Sequence, residues 1–298
     1  MGYSVDVAVP SANKLGEGPC WDDRFANLVW IDRPESRLCR WQPGADHWES
    51  VRMPHEMTAV MPHGAAGFVG ASRDGIHLID SRLTTVALLI GPLDEPIFRS
   101  NDGKADSRGR ILVGSTDVVS PRESRRPGSL FSVSIPHEPQ RVADDIGGPN
   151  GLGWSPEGDT LYHVDTPRSL INAFDYDQET GAVGNRRVLL STEGIGGIPD
   201  GMTVDDDGCL WVAMYGGGQI LRVSPNGRVL AKVCIPTELV TSVCFGPRGS
   251  RTVYVTTATR DSTGRMLGGR APSGQAGSVF QVAVRIDGAP THCAATGF

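Results

Sequence analysis

The stretch Gly151-Leu-Gly-Trp-Ser-Pro-Glu-Gly158, continuing through Leu161-Tyr-His-Val-Asp165, reads as a strand, a polar turn and a second apolar strand. Short apolar runs with alternating polarity mark half-buried strands, and Ser-Pro-Glu-Gly supplies the turn between them. The arrangement returns in Gly201-Met-Thr-Val-Asp-Asp-Asp-Gly208 through Leu210-Trp-Val-Ala213. It also occurs earlier, in Gly18-Pro-Cys-Trp-Asp-Asp23 through Leu28-Val-Trp-Ile-Asp32. Weaker copies run through Gly67-Phe-Val-Gly70, Arg110-Ile-Leu-Val-Gly114 and Thr252-Val-Tyr-Val-Thr256.

The large residues at the centres of these second strands are Trp30, Phe68, Leu112, Tyr162, Trp211 and Tyr254, separated by 38, 44, 50, 49 and 43 positions. A third strand follows in each copy: Arg37–Trp41, Gly75–Asp80, Gly128–Val133, Leu170–Phe174, Gln219–Val223 and Gly277–Val282. Units of about 45 residues, each with room for four short strands and their turns, are the size of propeller blades. No stretch holds a helical period. The expected fold is therefore all-β, a six-bladed β-propeller formed as a single domain over residues 1–298.

Composition agrees. The 298 residues include 38 glycines and 21 prolines, which argues against a helical bundle and for many tight turns. Lys plus Arg is 28 and Asp plus Glu is 34, a formal charge of −6 that argues against a nucleic-acid partner. The densest basic stretch, Arg122 to Arg126 between Pro121 and Pro127, reads as a solvated loop. Six cysteines at 20, 39, 209, 234, 244 and 293 show no paired spacing and read as reduced thiols, which points to the cytoplasm. The N-terminus has no signal-peptide pattern, and no apolar run is long enough to span a bilayer. The expectation is a soluble protein with a small-molecule substrate and no membrane or nucleic-acid partner.

In a propeller the first strand of each blade lines the central channel, so residues at one phase of the repeat converge in space. That phase holds Glu17, Thr58, Asn101, Asn150, Asp200 and Ser242, spaced 41, 43, 49, 50 and 42 apart. Asn-Gly and Asp-Gly are ordinary turn dipeptides, so one alone carries little weight. Four carboxylates or carboxamides in one phase carry more. Two carboxylates with one or two amide oxygens at a channel mouth would repel unless a cation held them, and all-oxygen ligation suits Ca²⁺, Mg²⁺ or Mn²⁺.

At these residues the sequence resembles the regucalcin (senescence marker protein) and gluconolactonase family. Leu15-Gly-Glu-Gly-Pro-Cys-Trp21, Arg99-Ser-Asn-Asp-Gly-Lys-Ala-Asp106, Gly148-Pro-Asn-Gly-Leu-Gly-Trp-Ser155 and Ile198-Pro-Asp-Gly-Met202 are similar to the family's four motifs, in order. The resemblance implies a six-bladed propeller with one divalent metal ion (Ca, Mg, Mn or Zn, with Ca favoured by the oxygen donors) held by Glu17, Asn150 and Asp200. It implies that Arg99 and Asn101 contact substrate, and that Asp200 is also the general base. The implied reaction is opening of a sugar lactone by water to the hydroxy acid. One stretch departs from the pattern. Where sugar-lactone members carry acidic residues after the third blade's second strand, this chain has Gly114-Ser-Thr-Asp-Val-Val-Ser120. Asp117 is the only acid there and is expected on the substrate-facing wall. A non-sugar lactone, a phosphoester, or a metal-binding scaffold without turnover are the alternatives.

Other chemistries find no motif. There is no G-x-S-x-G elbow or P-loop. Thr203–Gly208 lacks the first and last ligands of an EF-hand, and the seven histidines show no H-x-x-x-H spacing.

Overall fold

A computed structural model describes residues 2–65, 67–260 and 274–295. The single-domain reading also takes in residues 1, 66, 261–273 and 296–298, which lie outside the described residues. Six four-stranded antiparallel sheets are arranged in a ring, which is the expected six-bladed propeller. The innermost strands are Gly16–Asp22, Met57–His63, Phe98–Ala105, Pro149–Trp154, Ile198–Val204 and Val240–Phe245, each touching the next and the last touching the first. The third strands fall at Arg37–Trp41, Gly75–Ile79, Gly128–Val133, Leu170–Tyr176, Gln219–Val223 and Val279–Ala283, close to where the alternation places them.

Five blades are meanders of consecutive strands. The sixth takes its outer strand from the other end of the chain: Ser4–Val9 pairs antiparallel with Val279–Ala283, from Ser4 opposite Ala283 to Val9 opposite Val279. Pairing the chain's first strand into its last blade ties the ring shut. The Ser4-Val-Asp-Val-Ala-Val9 run alternates like a strand, but its partner lies 270 or more residues away and leaves no local trace.

The core is divided among the interfaces between blades. One cluster joins Trp211, Ala213 and Ile220 of the fifth blade to Val243, Val253 and Phe280 of the sixth. Another joins Val29, Ile31 and Leu38 of the first blade to Met57, Phe68 and Ile79 of the second. Each blade thus buries both faces, which is why the second strands read as nearly unbroken apolar runs. All six cysteines are free. Among the described residues, no helix is long and apolar enough to cross a membrane.

The aspartates of the hairpin turns are structural. Asp205 Oδ1 accepts the amides of Asp207 and Cys209, while Oδ2 accepts Trp211 Nε1 at 2.9 Å and Arg222 Nε at 2.8 Å. Asp205 is thereby spent on holding the hairpin turn between two strands, as the sequence reading of Thr203–Gly208 expects.

Candidate active site

The pairing between first and second strands slips at one phase in every blade: between Glu17 and Cys20, Met57 and Ala59, Ser100 and Gly103, Pro149 and Leu152, Pro199 and Met202, and Val240 and Ser242. In each case the inner strand advances one residue more than its partner, which is a β-bulge. A bulge bends its strand and re-aims the side chain it carries. The polar phase of the repeat is therefore the bulge position, and the bulges bring Glu17, Asn101, Asn150 and Asp200 to one mouth of the channel.

Asn-Gly and Asp-Gly do not act as turns here. Asn150-Gly151 and Asp200-Gly201 lie inside strands, and neither glycine has positive φ. The glycines are needed for close approach: a Cβ on Gly151 would lie 2.7 Å from Asp200 O, and one on Gly201 would lie 2.0 Å from Ser242 Oγ. Inner strands converge near the axis, and only glycine admits the neighbouring blade.

Three of the four site residues are anchored alike. Thr241 Oγ1 donates to Gly16 O at 2.5 Å, Asn101 Nδ2 to Pro149 O at 2.9 Å, and Thr166 Oγ1 to Pro199 O at 2.8 Å. In every case a side chain of the preceding blade holds the carbonyl just before Glu17, Asn150 or Asp200. These bonds also settle how both amides lie. Asn101 can meet a carbonyl only with its NH₂. The Thr166 hydroxyl, with its proton committed to Pro199, can only accept, so Asn150 turns its Nδ2 to it at 3.1 Å. Both asparagines thereby turn Oδ1 the other way, and among the described residues neither Oδ1 has a hydrogen-bond partner.

Glu17 and Asp200 sense one another. Burial pushes both carboxyls up, most strongly Asp200, where the Glu17 and Asp102 charges add to it; Arg33 opposes the rise at both. Asn150 also donates a hydrogen bond to Asp200. Two buried carboxylates that resist ionising together, faced by free amide oxygens, make a donor set suited to a hard divalent cation. Among the described residues no three His, Cys, Asp or Glu side chains form a metal cluster by themselves, so the amide oxygens would have to take part.

Arg99 lies half-buried beside this group. Among the described residues its guanidinium donates one hydrogen bond, to Ser100 O at 3.2 Å. Burial and the nearby Arg33 charge pull it down to about 9, against the pull of Glu56 and Glu17.

Asp117 departs from expectation. It is 1% exposed, its Oδ1 accepts the amides of Val119 and Ser120 at 3.0 and 2.9 Å, and its Oδ2 accepts that of Arg126 at 3.0 Å. Burial opposes ionisation, but these hydrogen bonds win and hold the carboxyl well below its usual range. Asp117 therefore shapes its own loop, in which Val119 is 59% exposed. The equivalent Asp32 and Asp165 hold preceding loops instead, through the amides of Lys14 and Leu15 and of Gly147 and Gly148.

Sequence reasoning missed Arg33, Asp102, Lys104, Thr166 and Thr241. Arg33 immediately follows a second strand that ends at this mouth, a position the repeat could have flagged. Asp102 and Lys104 face the channel below the site, where Lys104 Nζ donates to Met202 O at 2.5 Å. A cavity of about 300 Å³ continues down the channel past Cys20, Lys104 and Cys244. The C-terminal segment crosses the opposite mouth, with Ala289 N bonded to Val204 O and Ala294 N to Pro62 O.

Residues 15–259 match the family model described as the SMP-30/Gluconolactonase/LRE-like region. The chain belongs to this family. Regucalcin of Xenopus laevis is 35% identical over 260 residues, covering 85% of this chain and 86% of that protein. A 6-deoxy-6-sulfogluconolactonase of Pseudomonas putida is 33% identical over 290 residues, covering 97% of each. The calcium-binding protein regucalcin of Agrobacterium tumefaciens superposes with a TM-score of 0.87 at 24% identity, over 98% of both chains, a likeness of fold. Membership in the SMP-30/gluconolactonase family makes lactone hydrolysis the activity expected at family level.

Proposed function

We propose that the chain is a metal-dependent lactonase that opens a sugar lactone or a related lactone to its hydroxy acid. The observation that carries this reading is the bulge-borne set at one channel mouth, with Glu17 and Asp200 burying two carboxyls against each other and Asn101 and Asn150 offering amide oxygens. Glu17, Asn150 and Asp200 would hold one divalent cation. The calcium-binding regucalcin neighbour and the all-oxygen donors favour Ca²⁺. When bound, the cation supplies polarisation of the lactone carbonyl and charge stabilisation of its oxygen in the transition state.

The remaining work falls to the chain. Asp200 accepts a proton from the attacking water as the water oxygen bonds to the carbonyl carbon. The ring C–O bond then breaks, and the proton held by Asp200 passes to the departing ring oxygen, leaving the hydroxy acid. Arg99 and Asn101 orient the ring, Arg99 through the donors that it does not spend on Ser100. Acid release in a pH-stat tests the proposal: activity should vanish on chelation, return with Ca²⁺, Mg²⁺, Mn²⁺ or Zn²⁺, and be lost in Asp200→Asn. Full activity in the chelated protein or in the variant would overturn it.

A further inference from the structure

The charges around the site do not balance. Arg33 stands two residues beyond Ile31, the cross-strand partner of Glu17; its charge acts on Glu17 and Asp200, and its side chain is only 10% exposed. Among the described residues its one ion pair is Nε to Glu56 Oε1 at 3.3 Å, and Glu56 is half exposed. Among the described residues the Arg33 guanidinium donates no hydrogen bond, and its Nε is a buried donor without an acceptor. Arg99 beside it spends a single donor, on a neighbouring carbonyl. Arg125, from the loop that Asp117 pins, joins the same positive field and has no acidic partner among the described residues.

A buried guanidinium with one loose ion pair and no hydrogen bond costs free energy, and its like-charged neighbours add to that cost. Glu17 and Asp200 do not relieve it once a divalent cation takes their charge. Among the described residues, Glu56 is then the one carboxylate paired with any of the three guanidiniums, since Asp102 lies beside Lys104. Arg126, by contrast, is paired with Glu95 at 2.7 Å and stacks on Phe98, so the excess is confined to the site mouth. The Asp117 carboxylate spends both its oxygens on amides of its own loop and so pairs with none of the three guanidiniums.

We infer that Arg33 and Arg99, with Arg125 at the rim, form a clamp for an anionic substituent carried by the lactone, a phosphate, sulfonate or second carboxylate remote from the reacting carbonyl. Forked guanidinium donors match the oxygens of all three groups. The inference rests on the lactonase reading and names the substrate class within it.

The test uses the metal-loaded full chain and two readouts. In the first, kcat/KM is measured for glucono-1,5-lactone and for its 6-phospho counterpart. Wild type should prefer the phosphorylated lactone, and Arg33→Gln should lower the phospho-to-neutral ratio roughly 10- to 100-fold. Arg125→Gln, an exposed change with no folding risk, should lower it by about 2- to 5-fold. Damage to folding alone would lower both rates and leave the ratio in place.

The second readout is calorimetric binding of gluconate, 6-phosphogluconate, 6-deoxy-6-sulfogluconate and glucarate. At least one of the three acids that carry a second anionic group should bind more tightly than gluconate, with the gain lost in Arg33→Gln; their order identifies the anion. Lactones opened with no preference for charge, and all four acids bound equally, would overturn the clamp while leaving the lactonase standing. No turnover of any lactone, with Arg33-dependent binding of an anionic acid, would do the reverse.

Discussion

Asn101 of the third blade donates its side-chain amide to the carbonyl of Pro149 in the fourth, at 2.9 Å, one residue before Asn150. One bond thus fixes where Asn150 begins and which end of Asn101 faces the channel. The same device recurs at Glu17 through Thr241 and at Asp200 through Thr166. Blade packing and site geometry are therefore one structure.

Replacing Asn101 with Asp sets a carboxylate oxygen against the Pro149 carbonyl. Asn101→Asp should lower stability by about 1–3 kcal/mol in urea unfolding of the metal-free protein, and by more than Asn101→Ala. Equal stability of Asn101→Asp and wild type would contradict the assigned amide orientation.

Thr166 is predicted to act on the cation without touching it. Thr166→Val keeps the shape but releases both the Asn150 amide and the Pro199 carbonyl. Calcium affinity by calorimetry should fall about 10- to 100-fold, the usual effect of losing a residue that orients a ligand. Unchanged affinity would remove Asn150 from the donor set.

Gly201 is a packing requirement. Gly201→Ala places a Cβ 2.0 Å from Ser242 Oγ and 2.4 Å from its Cβ, which should cost about 1–3 kcal/mol or more by overpacking. Ser242→Gly in the same chain should restore much of the loss. Thermal unfolding of the single and double variants checks this, and failure of the second change to compensate would place the strain elsewhere.

His163 predicts an acid-sensitive step in stability. It is fully buried in the fourth blade near Phe174, neither ring nitrogen has a hydrogen-bond partner, and burial, with Arg186 adding, pushes it down to about 3. In the unfolded chain it protonates below about 6.5, so this contribution to stability is complete above that pH and is lost as pH falls toward 3. Relative to His163→Leu, wild type should lose roughly 2–3 kcal/mol between pH 6.5 and 4.5. Parallel pH profiles for the two proteins would show that the ring is not held neutral.

The repeat was legible because it is local. Trp30, Trp211 and Tyr254 announce their strands through neighbours a few residues away, and the 41- to 50-residue spacing puts Glu17, Asn101, Asn150 and Asp200 in one phase. Asp117 was misplaced for the same reason: its residue type and position suggested a wall, whereas three amides of its own loop take its oxygens. Thr166 and Thr241 have no distinguishing neighbours, and their roles exist only across a blade boundary.

The sequence by itself determined the number of blades, the strand order within them and the polar phase, since short-range alternation and spacing encode all three. Only the tertiary structure decided the closure of the ring by Ser4–Val9, the bulges that turn the phase into a site, and the meeting of Arg33 with Arg99. Those features arise where strands distant in the chain approach within a few ångströms, and a periodicity cannot record which partner a residue will meet there.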